Sequence, residues 1–221
     1  MPTTEARYQA FVANCAEAVE GGLELWDDGL DPLVLGRLEA GKRRAGRVLV
    51  AGCGTGRGIA ELASMGYEPW AFDVSASMVA LCRARHRLSS ERCFVAAAAD
   101  LPRVLGARRF DWVLALGLVS GGLWLDPGCV VRQLAGLADA LAPRGKLLLD
   151  FLDGGPGESG HLAVFDYPLP DGRKLPGCCF WPSRTQVLRD LDRVGLRTLL
   201  TALSHNQAEP LWLAEATRVE A

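Results

Sequence analysis

The chain has 221 residues, 49% of them hydrophobic and 23% charged, with a formal net charge of −2. That is room for one well-buried α/β domain and not for a second full one. It also lacks the bulk positive field of a nucleic-acid binder. The basic runs Lys42–Arg44, Arg83–Arg87 and Arg108–Arg109 read as solvated helix ends and loops. No apolar stretch reaches the ~18 residues of a membrane span. No apolar leader follows the polar start Met1-Pro-Thr-Thr-Glu, so a cytoplasmic protein with reduced thiols is expected.

Residues 3–20 space their apolar side chains (Tyr8, Phe11, Val12, Cys15, Val19) as a helix that Gly21-Gly22 ends. A second helix, Leu33–Leu38, is entered through Asp31-Pro32. Val48–Ala51 is a buried strand, followed by a helix over Arg57–Met65 that stops at Gly66. Trp70–Asp73 is the second strand, and Ser75 caps a helix over Ala76–Leu88. Cys93–Ala97 and Phe110–Leu116 are strands three and four, the latter apolar on both faces like a central parallel strand. Asp126-Pro127 reads as N-cap and first turn of a helix to about Leu141, and Lys146–Phe151 is strand five. This alternation implies right-handed parallel βαβ units.

After strand five the pattern changes. Asp153–Gly160 is a glycine-rich loop, and Val164–Leu169 with Lys174–Trp181 flank Asp171-Gly172 as a β-hairpin. Ser183 opens a helix to Val194, and strands Leu196–Leu203 and Leu211–Arg218 finish the chain. The seven cysteines are odd in number and irregularly spaced. Cys15, Cys82, Cys93 and Cys129 read as small buried apolar residues. Adjacent Cys178 and Cys179 on a strand point to opposite faces and chelate one metal poorly, so no metal is expected.

The chemistry concentrates in Arg47–Val79. A strand breaks into Gly52, Gly54 and Gly56, a helix follows, and a second strand ends in Asp73. That unit is how an open α/β sheet holds a nucleoside. The G-x-G-x-G spacing departs from the dinucleotide fingerprint, whose last small residue would fall on Arg57 or Ile59. It therefore argues against a nicotinamide-dependent oxidoreductase. A protein that holds the ligand without turnover, or serves as a partner subunit, stays open as an alternative.

Val48–Gly56 resembles the first motif of class I S-adenosylmethionine-dependent methyltransferases. The likeness continues through Phe72-Asp73-Val74-Ser75, Ala99-Asp100-Leu101-Pro102, Phe110-Asp111-Trp112-Val113 and Leu141-Ala-Pro-Arg-Gly-Lys-Leu, in that family's order. Val50 stands where many members carry an acid, and Arg144 replaces a glycine. The resemblance implies a single Rossmann-like α/β methyltransferase domain with a mostly parallel seven-stranded sheet and an antiparallel last strand. The N-terminal helices would occupy 1–44 and the cofactor-binding core 45–153. A hairpin lid insert after strand five would span 154–182, and the last helix and strand pair 183–221.

It implies S-adenosylmethionine as cofactor, held by Gly52, Cys53, Gly54, Thr55 and Gly56. Asp73 would take the ribose hydroxyls, and Val74 and Met78 would pack on the adenine. Asp100 and Leu101 would meet the adenine edge, and Leu116-Gly117 the methionine end. The expected acceptor is a small molecule, with neither nucleic acid nor membrane as partner, and the chain is a monomer or homodimer. Tyr8, Trp26, Trp124, Tyr167 and Trp181 are the expected acceptor-binding residues, with His161 as a candidate base on a mouth loop.

Overall fold

Strands that are apolar on both faces leave a sheet with two surfaces to cover, and here helices cover both. The computed structural model describes residues 3–23, 29–41, 46–117, 122–157, 159–203 and 211–219. In chain order the first elements are α1 (Thr4–Glu20), α2 (Pro32–Ala40), β1 (Arg47–Ala51), α3 (Ile59–Ser64), β2 (Glu68–Asp73) and α4 (Ala76–His86). Then come β3 (Cys93–Val95), a 3-10 turn (Ala98–Asp100), α5 (Leu101–Leu105), β4 (Phe110–Ala115), α6 (Val130–Asp139) and β5 (Leu141–Leu152). The chain closes with β6 (His161–Pro168), β7 (Lys174–Trp181), α7 (Arg184–Asp192), β8 (Leu196–Ala202) and β9 (Leu211–Arg218).

The seven-stranded sheet runs β3-β2-β1-β4-β5-β9-β8, and β6-β7 form a separate hairpin. β1, β2, β3, β4 and β5 pair in parallel, while β9 runs antiparallel to both its neighbours. Ala51 pairs with Phe72 on one side and Ala115 on the other, so three strand ends finish level. The order reverses between β1 and β4, and the crevice of an open α/β sheet lies at such a point. The expected α/β architecture is present.

Alternation along the strands splits the core in two. Leu49, Phe72, Val113 and Leu149 face Leu101 of α5, Leu134 of α6 and Leu191 of α7. Val48, Val50, Ala71 and Leu114 face Val34 of α2, Ile59 of α3 and Val79 of α4. A third cluster lies outside the sheet, where Phe11 and Cys15 of α1 meet Met78 and Leu169. Phe11 also stacks edge-on against Phe165 and Tyr167 of the hairpin. Capping follows the sequence: Asp31, Ser75 and Ser183 each accept a first-turn N–H.

Three elements differ from expectation. The helix after strand four starts at Val130, because Asp126 closes a tight turn instead of capping it. Its carboxylate accepts the Gly128 N–H at 2.8 Å, and its carbonyl accepts from Cys129 and Val130. β5 starts early, at Leu141, and Arg144 adopts φ +63 within it. The hairpin starts at His161 and so takes that residue out of the loop.

Trp124, expected at the acceptor, packs in the core. It is 1% exposed, and its Nε1 donates to the buried Asp190 Oδ2 at 3.0 Å. Trp124→Phe should leave that carboxylate short of a donor and cost about 1–3 kcal/mol in urea unfolding, with S-adenosylhomocysteine affinity unchanged.

Candidate active site

β1 ends at Ala51, and the chain turns across the sheet edge. Cys53 N–H donates to the Phe72 carbonyl at 3.0 Å, which ties the turn to β2. Gly54 has φ +51, and nothing lies within 4 Å of where its Cβ would stand. The turn therefore offers bare backbone to open space. Gly54 N–H donates to Asp73 Oδ2 at 3.0 Å, and Ser75 N–H to Oδ1 at 2.9 Å. Burial raises the Asp73 carboxyl above its ordinary value, and the backbone donors Ser75, Gly54 and Val74 pull it back. A carboxylate has about four lone-pair sites, so each oxygen keeps room for one hydroxyl of a vicinal diol.

A cavity of about 440 Å³ opens against this turn. Val74, Met78 and Ala97–Ala99 line one side, and Leu116 and Gly117 the other. Val74 is 48% exposed, an apolar surface that a flat ring would cover. A Cβ on Gly136 of α6 would collide with the Ala98 carbonyl, so the glycine lets α6 seat against the 98–100 turn. Tyr8, Phe11 and Val12 of α1 roof the cavity, and Asp126, Cys129 and Arg132 form part of its rim. The Tyr8 hydroxyl oxygen sits 2.7 Å from where a Cβ of Gly122 would be. Burial and the Asp73 charge push the Tyr8 phenol up, so it stays protonated at neutral pH and acts as a donor. Asp126 is pulled below its ordinary value by hydrogen bonds from Cys129 and from Gly128 N–H.

Gly52, Cys53, Gly54, Thr55, Asp73, Val74, Met78, Leu116, Gly117 and Tyr8 thus converge on one cavity. Other expected residues do not reach it. Gly56 backs onto His86 and Cys82. The Asp100 side chain is about half exposed and lies 3.9 Å from Arg103, while Leu101 is buried in the core. Ala97–Ala99, just before them in the chain, line the cavity instead. His161 is exposed, 3.1 Å from the Gly154 carbonyl, with its ring against Trp181. Trp181 Nε1 donates to Cys179 Sγ within the hairpin, while Tyr167 packs on Phe11 and braces α1. Trp26 lies outside the described residues. Gln9, Arg57, Asp126, Cys129, Arg132 and Gln133 line the cavity and were not expected. The helical spacing of Cys129, Arg132 and Gln133 is the one signal that placed them on a shared face.

The residues fit S-adenosylmethionine: an open glycine turn, a paired acid for a diol, and an apolar slot beside it. Residues 48–145 match the family model described as a methyltransferase domain. No curated protein matches the chain. Solved structures with this fold include a glycopeptide N-methyltransferase complexed with S-adenosylmethionine. It is 21% identical, with a TM-score of 0.63 over 88% of this chain and 90% of that one. An amino pentose methyltransferase of Micromonospora echinaspora is 19% identical, with a TM-score of 0.62 over 91% and 95%. The 1,6-didemethyltoxoflavin N1-methyltransferase of Burkholderia thailandensis is 19% identical, with a TM-score of 0.65 over 96% and 89%. The fold is the Rossmann-like one of these methyltransferases. Over residues 48–145 the chain is similar to a methyltransferase domain, and its fold is shared with these S-adenosylmethionine-dependent enzymes.

Behind the Leu116–Gly117 wall, Asp150 accepts the Gly117 N–H at 2.7 Å. Burial pushes its carboxyl up to about 7, against the pull of that N–H and of Arg57. Two outcomes follow. Asp73→Ala should weaken S-adenosylhomocysteine binding in calorimetry by tenfold or more, the loss of charged acceptor sites worth roughly 1.5–3 kcal/mol. For Asp150, the folded state keeps a proton that the unfolded chain loses near pH 4. Its contribution to stability therefore falls as pH rises from about 4 to 7 and is flat above. Thermal melts of Asp150→Asn against wild type should show the difference moving in the variant's favour from pH 5 to pH 8.

Proposed function

We propose that the chain transfers the methyl group of S-adenosylmethionine to a small-molecule acceptor in the cytoplasm. The observation that carries this reading is the division of one cavity. One part has the glycine turn, Asp73 and the apolar slot. The other is closed by α1 and the start of α6, with Tyr8, Asp126 and Arg132 as polar groups. A roofed cavity of about 440 Å³ shared by cofactor and acceptor suits a small acceptor, or the tip of a larger one, beside the cofactor. The similar structures include an amino pentose, a 1,6-didemethyltoxoflavin and a glycopeptide methyltransferase, which supports the reading. Among the described residues no helix is long and apolar enough to cross a membrane.

Bound in the slot, the cofactor supplies a methyl group already activated on a sulfonium. The residues of the chain position and enclose. Gly52–Thr55 give backbone contact, Asp73 anchors the diol, and Phe11, Val12 and Leu116 exclude water. Protonated Tyr8 donates a hydrogen bond that orients the acceptor. Asp126, ionised at the rim, draws in a positively polarised group.

Methyl-labelled cofactor mixed with cell extract tests this. Label is expected in the dialysable fraction. Label in protein or RNA would overturn the small-molecule acceptor, and bound cofactor with no labelled product anywhere would favour a silent binding subunit. With the acceptor in hand, Tyr8→Phe should lower kcat/KM about tenfold, the value of one buried hydrogen bond, without removing a limb of the pH profile.

A further inference from the structure

Three thiols converge behind the glycine turn. Cys53 belongs to the turn itself, Cys82 to α4 and Cys93 to the first position of β3. Their sulfurs all lie within 4.8 Å of one another, and the residues are 4%, 0% and 0% exposed. Three sulfurs on one tetrahedral zinc ion, each ~2.3 Å from the metal, stand roughly 3.8 Å apart, so only a small contraction separates this triad from a ligand set. A fourth donor stands at the edge of this cluster, outside the 4.8 Å that joins the three sulfurs. His86 follows Cys82 by one helical turn on the same face of α4. A side chain at Gly56 would strike the His86 ring and stand 3.1 Å from Cys82 Sγ, so ring and sulfur crowd one spot on the turn.

We propose that Cys53, Cys82, Cys93 and His86 form a structural zinc site that braces the cofactor turn. The donor set is the thiolate-rich, nitrogen-completed type that zinc takes in closed structural sites. As the ion enters, three thiol protons leave to solvent and no electrons move. Three thiolates and one divalent ion leave one net negative charge, and Arg83 is placed to offset it, its Nε donating to the Cys93 carbonyl at 2.7 Å. Little is given up in exchange. Cys53 Sγ and Cys93 Sγ reach backbone carbonyls only at 3.6 and 3.8 Å, both weak thiol contacts. The ion would join the turn that carries Gly54 to the helix that carries Met78, two walls of the cavity. Metal and cofactor should therefore bind with positive and reciprocal coupling. Because the site is enclosed, the ion enters before α4 closes, during folding.

The test is refolding of the full chain from guanidinium, after chelator treatment, with Co²⁺ as the probe. We expect one cobalt per chain with intense thiolate-to-cobalt charge-transfer absorption, displaced by Zn²⁺, and zinc in the protein as purified by elemental analysis. Cys82→Ser and Cys93→Ser should lose the charge-transfer band, while Cys15→Ser keeps it. His86→Gln should retain a thiolate band with at least tenfold weaker cobalt affinity. S-adenosylhomocysteine should bind several-fold tighter to the metal-loaded wild type. Refolded wild type that binds S-adenosylhomocysteine, yet shows no cobalt band and contains no zinc, would overturn the site without touching the methyltransferase reading. So would a band that survives in both serine variants. Should those variants not fold, zinc stoichiometry and chelator competition on wild type decide alone.

Discussion

Everything at this site depends on where one carboxylate is held relative to one glycine. Asp73 accepts from Gly54 across the gap between two parallel strands, and from Ser75 on its own side. That geometry is inherited from the sheet. Val50 pairs with Ala71 and Ala51 with Phe72, and these residues are locked by burial on both faces. A register slip of one residue would move every side chain to the other face and carry Asp73 away from the turn. Hydrogen bonds to a charged acceptor are worth roughly 1.5–3 kcal/mol, enough to offset much of the desolvation of a carboxylate that is 7% exposed. The acid is thus oriented before any ligand arrives, which lowers the ordering cost of binding.

The acceptor side is built differently. α1 does not join either sheet core. It is held by Phe11 against Phe165 and Tyr167, and by Cys15, Ala16 and Ala18 in the outer cluster. Gly177 lets the Phe165 and Phe11 rings lie close on β7, where a Cβ would meet both. The hairpin aromatics therefore act one step away from the cavity: they seat the helix that roofs it. Met78 belongs to that outer cluster and also lines the cofactor slot, so roof and slot share a side chain. Substitutions in the hairpin reach the cavity through α1.

What the sequence made legible follows from burial. Strands buried on both faces read as continuous apolar runs, and the caps Asp31, Ser75 and Ser183 stand at their helix starts because a backbone N–H needs a partner there. Asp73 and the glycines were readable because an acid at a strand's end beside G-x-G-x-G has few other uses. Asp100 drew attention as the acid in an alanine run, while the cavity wall is lined by Ala97–Ala99, whose small side chains carry no chemical signal. Trp124 looked like a mouth aromatic, but its partner Asp190 lies 66 residues away and places it in the core. The Asp-Pro pair at 126–127 fits both a helix cap and a tight turn, and only the turn puts Asp126 on the rim. Cys53, Cys82 and Cys93 are separate in sequence. They meet because β1, α4 and β3 bring their residues to the same face of the sheet.

The charges around the cavity bear on which atom can be methylated. A nucleophile that loses a proton needs somewhere to send it. Tyr8 is held protonated and cannot accept one, while Asp126 is held below its ordinary value and is a weak base at neutral pH. Asp150 titrates near neutrality, but its carboxyl is engaged by Gly117 behind the cavity wall. His161 is exposed and packs on Trp181 away from the cavity. An aliphatic alcohol would demand a stronger base than any of these. A neutral amine or ring nitrogen brings its lone pair ready, and its proton can leave after transfer, when the product is acidic enough for water to take it. On the proposed function, Tyr8 and Asp126 would therefore orient and admit an acceptor rather than deprotonate it.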